Sequence, residues 1–391
     1  MLLKVSPPKQ LGIRLQLASS FMIRLLYYCD VKGIQPKQFT KKQFLIDHPE
    51  LKACVFANKT ATTFKNRIND FWDACKAKKE RKTVILALCV DNFFMMGPKG
   101  KTQIANFSFQ SYQLNIPQYS LDLLKTLFTR FYNDFFNYEE NGSNLRWHFK
   151  EEYKLENPDN FYLCPACLGE LNLDKAQLDH YFPKSTHLAL VIHPNNLIPL
   201  CISCNSTTGG GKGDKIPTNP AIPTQANRIG CLEDAYLPYE SYGLGRVKML
   251  VGGTPGKRMA QLTTMKAADR TPLLNHAETY DLNRVWTSRL HNANTTLIHR
   301  LVDAFRHTFE TDGKLDSAAI AHFLQHSIIQ GAEYKSSKIE NYFILANYTV
   351  WILGEPNAWI TLIDELQKRL EEEKKLNFKQ KQPYFLGDPE P

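Results

Sequence analysis

Four of the nine cysteines in this 391-residue chain stand in two Cys-x-x-Cys pairs, and they constrain the fold more than any other feature. Cys164 and Cys167 lie in LCPAC, Cys201 and Cys204 in LCISCN. One Cys-x-x-Cys turn brings two sulfurs to an ion, and two such turns supply the four thiolates of a tetrahedral structural Zn²⁺ site. The 33 residues between Cys167 and Cys201 exceed the gap of a minimal zinc ribbon, so they are expected to form a folded insert. The other five cysteines (Cys29, Cys54, Cys75, Cys89, Cys231) are scattered. The Met-Leu-Leu-Lys start runs straight into Pro-Pro-Lys after two residues, which leaves no secretory apolar region. Metal binding in a reducing compartment is therefore expected over disulfides.

A structural metal does not explain the polar residues inside the insert. Asp179 and His180 fall in LDHYFPK, where Tyr-Phe-Pro should end a short strand. Asn195 and Asn196 precede Leu197 in HPNNLIPL, and Asn205 directly follows Cys204. In that order, from Cys-x-x-Cys through Asp-His and Asn-Leu to Cys-x-x-Cys-Asn and a Lys-containing end, residues 160–216 resemble the HNH nuclease family. The resemblance covers less than a fifth of the chain and implies a two-stranded hairpin packed on a helix around one divalent ion. It assigns His180 as general base, a task suited to an imidazole of near-neutral pKa. It makes Asp179 the metal carboxylate and gives Asn205, at a position often held by His, as an amide ligand. Such oxygen donors favour Mg²⁺ or Mn²⁺, which would polarise the phosphate and stabilise the leaving 3′ oxygen. Asn196 is expected to fix the loop that orients His180. His187 and His193 fall on no motif position and are expected to be structural. Lys212 and Lys215 are either phosphate contacts or part of a solvated loop.

Composition frames this core. A hydrophobic fraction of 43% with 12% aromatics argues against disorder, and the length suits two or three domains. The net charge of +9 agrees with a polyanionic partner. Residues 59–82 hold eight basic residues (Lys59, Lys65, Arg67, Lys76, Lys78, Lys79, Arg81 and Lys82) against three acidic ones; this is either a nucleic-acid face or a solvated one. No apolar run approaches the roughly 18 residues that span a bilayer, so a cytoplasmic protein with no membrane partner is expected.

Helical periodicity appears in LASSFMIRLLYYC, in residues 60–80 and in 120–138. VILALCV at 84–90 reads as a short buried strand or helix fragment. Gly209, Gly210, Gly211 and Gly213 with Pro217, Pro220 and Pro223 mark an irregular crossing. RVKMLV at 246–251 reads as a strand. The TPGKR that follows fails as a phosphate loop, because Val251 stands where the first Gly is needed and Arg258 where Ser or Thr is. A long helix is expected at 282–310, carrying His291, His299 and His307 as packing or surface residues. Further helices are expected near 316–330, 337–353 and 356–376, then a polar tail.

These readings combine into an α+β, mostly helical protein: an N-terminal mixed domain (1–155), a central ββα-metal domain with the four-Cys zinc site (156–230) and a C-terminal helical domain (231–391). The expected activity is hydrolysis of nucleic-acid phosphodiesters, with DNA as substrate ahead of RNA. The expected role is bacterial restriction or antiviral defence beside an ATPase partner or through self-association. The rival readings are a non-catalytic zinc-stapled binding module and an RNA-cleaving toxin.

Overall fold

The computed structural model describes residues 1–94, 118–185, 187–206, 211–217, 234–240, 242–253 and 257–381. Gly209, Gly210, Pro220, Pro223, Cys231, the TPG of TPGKR and the tail beyond 381 lie outside the described residues. The fold is mostly helical with small two-stranded sheets. It divides into two compact units, one of residues 1–247 and 264–282, the other of 248–263 and 283–391. The boundaries expected near 155 and 230 both fall inside the first unit. No helix among the described residues is long and apolar enough to cross a membrane.

The first unit opens with α1 (Lys9–Lys32), whose Leu11, Leu15, Ala18, Met22, Leu25 and Cys29 recur every three or four residues and are buried. Gly33, at φ 62°, ends it in the left-handed conformation that glycine adopts at least cost. After α2 (Lys41–Asp47), Thr60 accepts from the Thr63 amide to start α3 (Ala61–Ala74), which buries Phe64, Ile68 and Phe71. Phe21 joins these helices, with Phe44, Phe56 and Phe64 rings 5.3–5.6 Å away. Truncating such a residue to Ala costs ~3–5 kcal/mol.

Residues 60–80 do not make one helix. α3 stops at Ala74, and α4 (Lys78–Phe94) restarts three residues on and absorbs VILALCV. The reason is Arg81: its guanidinium donates to the carbonyls of Cys75 and Lys76, to Asp30 Oδ1 at 2.8 Å, and stacks 4.0 Å above the Trp72 ring. Those two carbonyls are therefore spent on a side chain instead of a helical ladder. Next come α5 (Gln118–Phe136), a two-residue ladder of β1 (Glu139–Glu140) and β2 (Ser143–Asn144), and α6 (Leu145–Glu156), capped by Asn144. Leu145, Phe149 and Tyr153 form the buried stripe of α6. The unit continues through β3 (Gln177–His180), β4 (Leu197–Leu200) and α7 (Ile202–Asn205), and closes with α8 (Arg270–Thr279).

The second unit holds a two-stranded sheet of β5 (Val247–Gly252) and β6 (Met259–Thr264), followed by helices α9 (Leu282–Asp312), α10 (Ser317–Phe323), α11 (Ala332–Ser336), α12 (Tyr342–Gly354) and α13 (Pro356–Lys381). The helix expected at 316–330 changes to π geometry over Leu324–Ile329, and the one expected at 337–353 begins only at Tyr342, as α12. α12 buries residues on every side, with Phe343 packed 5.0 Å from Trp286 of α9. His291, His299 and His307 are exposed on α9.

Candidate metal centre and adjoining pocket

Four sulfurs form the first part of the site. The Sγ atoms of Cys164, Cys167, Cys201 and Cys204 all lie within 4.8 Å of one another, and Cys167 and Cys201 stand 3.8 Å apart. Sulfurs around a tetrahedral zinc with ~2.3 Å bonds are separated by about 3.8 Å. The cluster therefore has the dimensions to hold a metal ion such as zinc. Backbone bonds shape the first turn: the Leu168 amide donates to Cys164 O at 2.9 Å and the Cys164 amide to Gly169 O at 2.7 Å, with Leu168 in the left-handed region at φ 59°. In the second, the amides of Cys204 and Asn205 both donate to Cys201 O at 3.1 Å. The other described cysteines form no disulfide.

The hairpin between the two pairs is antiparallel, with Asp179 opposite Ile198 and His180 opposite Leu197. Four apolar residues in a row make β4 a fully buried strand, and it delivers the chain directly into Cys201. β3 ends at His180, where the chain turns through Tyr181 and Phe182. Asn196 holds that turn: its Oδ1 accepts from the Phe182 amide at 2.7 Å, and its Nδ2 donates to Phe182 O at 3.1 Å and Leu190 O at 2.9 Å. Asn196 is completely buried, and its side-chain amide is satisfied on both ends.

The same loop holds the His180 ring. Its Nε2 donates to Val191 O at 2.9 Å; a carbonyl can only accept, so the proton sits on Nε2 and Nδ1 carries the lone pair. Tyr132 of α5 packs its ring 5.0 Å from the imidazole. Burial pushes the His180 pKa down to about 3, with Lys184, Lys212 and Arg146 adding in the same direction. The ring is a neutral acceptor at any ordinary pH and a weaker base than a solvated imidazole.

Asp179 is buried, and burial raises its pKa while Lys212 opposes that shift. Lys212 is itself 1% exposed; its Nζ lies 3.0 Å from Asp179 Oδ2, donates to Oδ1 at 3.2 Å, and also donates to Gly213 O. Gly211 makes this approach geometrically accessible. A Cβ there would sit 2.4 Å from Ser206 O and 2.5 Å from Ser203 O, so the chain crosses α7 only as glycine. The Lys212 amide then bonds Cys204 O at 2.8 Å, which ties the lysine to the cysteine turn. Asn205 is half-buried, and its Nδ2 donates to Gln177 Oε1 at 2.5 Å, which leaves its carbonyl oxygen as acceptor.

Asp179, His180, Asn205 and Lys212 line one open pocket of about 570 Å³. Lys215 does not line it; this exposed lysine donates to Glu278 O at the end of α8. The buried His187 and His193 do not line it either. Tyr132, Arg146, Lys150 and Lys184 line the pocket but escape the sequence reading. Lys184 had a signal, since it closes the LDHYFPK run four residues after His180. Tyr132 and Arg146 had none beyond their residue type. No protein-family model, curated protein or solved structure matches the chain.

Proposed function

We propose that this protein is a metal-dependent HNH-type endonuclease, a hydrolase of nucleic-acid phosphodiesters with DNA as its substrate, in a bacterial restriction or antiviral defence role. The observation that carries the reading is the convergence of His180, Asp179 and Asn205 on one pocket beside the cysteine cluster. The hairpin of β3 and β4 followed directly by α7 supports a ββα-metal arrangement stapled by structural zinc. Asp179 and Asn205 are the residues that would hold Mg²⁺ or Mn²⁺, and their hard oxygen donors suit either ion. A divalent ion held there would supply Lewis-acid polarisation of the phosphate. The chain's own part is a lone pair at His180 Nδ1, fixed by the Nε2 bond to Val191 O and ready to take a proton from attacking water. Asn196 keeps that loop in place through three hydrogen bonds.

The Lys212–Asp179 pair favours a second reading, a non-catalytic zinc-stapled binding module. A buried carboxylate already neutralised from within the chain has less need of an added cation. Incubating the purified protein with plasmid, linear duplex, single strands and RNA, with and without Mg²⁺ or Mn²⁺, separates the two. Divalent-dependent scission of DNA is expected; binding without scission of any substrate would favour the module, and scission of RNA alone would favour the toxin.

A further inference from the structure

Most arginines of the first unit are paired with a carboxylate where they stand. Arg14, Arg24, Arg67, Arg81, Arg130 and Arg246 each hold a carboxylate. Arg146, in the pocket beside His180, departs from this pattern. Arg146, Lys150 and Lys184 all line that pocket; Asp174 acts on Lys150 from outside the lining, and neither Arg146 nor Lys184 forms an ion pair with a carboxylate among the described residues. With Lys212 they bring four formal cations to a lining whose carboxylates are Asp179 and Asp214, an excess of two, while His180 is neutral.

The geometry of Arg146 makes the excess specific. It sits in the first turn of α6, with its guanidinium 5.8 Å from the Tyr132 ring, and Tyr132 in turn packs on His180. Its Nε is buried without a hydrogen-bond partner. Burial lowers the Lys150 pKa, the Asp174 carboxylate opposes that shift, and the nearby Arg146 adds to it. Lys150 Nζ donates to the Asp174 carbonyl at 3.0 Å, and the carboxylate of the same residue attracts it. Unpaired cations held together in a partly desolvated wall cost stability, and an anion recovers it. Arginine beside lysine suits phosphate oxygens, the first through its planar fork and the second as a point charge.

We infer that Arg146, Lys150 and Lys184 form a phosphate-binding subsite that seats the sugar–phosphate backbone of a polynucleotide alongside His180. The inference rests on the nuclease reading and adds to it. The helices before the cysteines supply one wall of the substrate groove, and the basic segment at 59–82 is not the main contact. Two or more adjacent phosphates fit an excess of two charges, which favours a chain of phosphodiesters over a single small anion.

The test uses the full-length protein with no added divalent ion and a labelled 12-mer DNA duplex as probe. Affinity is measured against salt for the parent, Lys184→Met, the Arg146→Met/Lys184→Met double variant, and a surface control, Lys78→Met/Lys79→Met/Lys82→Met. The double variant should weaken binding more than tenfold and lower the slope of log K against log salt by about 2, near 0.9 for each phosphate no longer neutralised. Lys184→Met, an exposed side chain whose loss leaves the core untouched, should lower it by about 1, and the surface control should leave it near the parent value. Zinc content and melting temperature verify the fold. If the folded variants bound like the parent, or the surface control weakened binding instead, the subsite would be refuted. Inorganic pyrophosphate as competitor distinguishes the sources of phosphate: binding of pyrophosphate without binding of the duplex would overturn the assignment to a polynucleotide. Parent protein that binds through these residues yet cleaves nothing would sink the nuclease reading and leave the subsite standing. Cleavage unaffected by the double variant would do the reverse.

Discussion

Lys212 Nζ stands 3.0 Å from Asp179 Oδ2, and the two side chains are 1% and 10% exposed. A lysine ammonium thus sits on the carboxylate that the nuclease reading gives to a divalent ion. One carboxylate cannot satisfy both cations in a small buried space, so metal and lysine are expected to compete.

Lys212→Met should therefore bind Mn²⁺ more tightly than the parent by calorimetry. Without divalent ions it should also be less stable, because removing one partner of a buried pair costs ~3–5 kcal/mol. Added Mg²⁺ should raise its melting temperature more than the parent's. Identical metal affinities in the two proteins would show that the lysine does not compete.

Loss of His180 should abolish cleavage. His180→Ala is expected to keep its zinc and its nucleic-acid affinity while losing about 10²–10⁴-fold in rate, and extra metal should not restore it. Asp179→Ala and Asn205→Ala should also be impaired, with partial recovery at raised Mn²⁺. Parent-like cutting by His180→Ala would remove the residue from the mechanism.

The protein as purified should carry about one zinc per chain, as the four-thiolate geometry implies. Cys164→Ser and Cys201→Ser should lower both zinc content and melting temperature, since metal binding contributes to folding free energy. Soluble, folded protein without zinc by elemental analysis would end this assignment.

Arg81 should behave unlike its basic neighbours. Its side chain is 7% exposed and paired with Asp30, which is 2% exposed, so Arg81→Met should cost ~3–5 kcal/mol in denaturant unfolding. Lys78, Lys79 and Lys82 are exposed, and their replacement should stay within about 0.5 kcal/mol of the parent. Equal effects at all four positions would contradict the burial of Arg81.

Acid should destabilise the first unit. Burial lowers the pKa of His187 to about 3 and of His193 to about 4. The unfolded chain, with histidine near 6.5, binds more protons between those values, so stability is full above about pH 6.5 and falls as pH drops towards 4. Denaturant midpoints measured from pH 8 to 4 test the sign; a midpoint that rose on acidification would refute it.

Much of the hairpin was legible because its signals are local. The two Cys-x-x-Cys pairs, Asp179-His180 ahead of an aromatic-Pro stop, and the apolar LIPL of β4 each announce themselves within a few residues. The break between α3 and α4 was not legible, because it depends on Arg81 reaching Asp30, a partner 51 positions away in the chain. The pocket wall was hidden for the same reason. Tyr132 sits in an aromatic run that reads as core, and it is core, yet one face of its ring meets His180. Lys212 was visible as a lysine in a glycine-rich stretch, but its burial follows from the crossing at Gly211, which is a property of tertiary packing.

The packing of Tyr132 on His180 also bears on modularity. The segment that holds the four cysteines looks portable, as if it could be excised and grafted onto another scaffold. Its histidine, however, leans on a ring from a helix that ends forty-four positions before it, and that helix is locked by Arg67 to α3 through Asp134. A transplanted hairpin would bring its metal ligands and leave behind the surface that keeps its imidazole dry. Recombination within such a lineage would have to move the preceding helices and the hairpin as one inheritance.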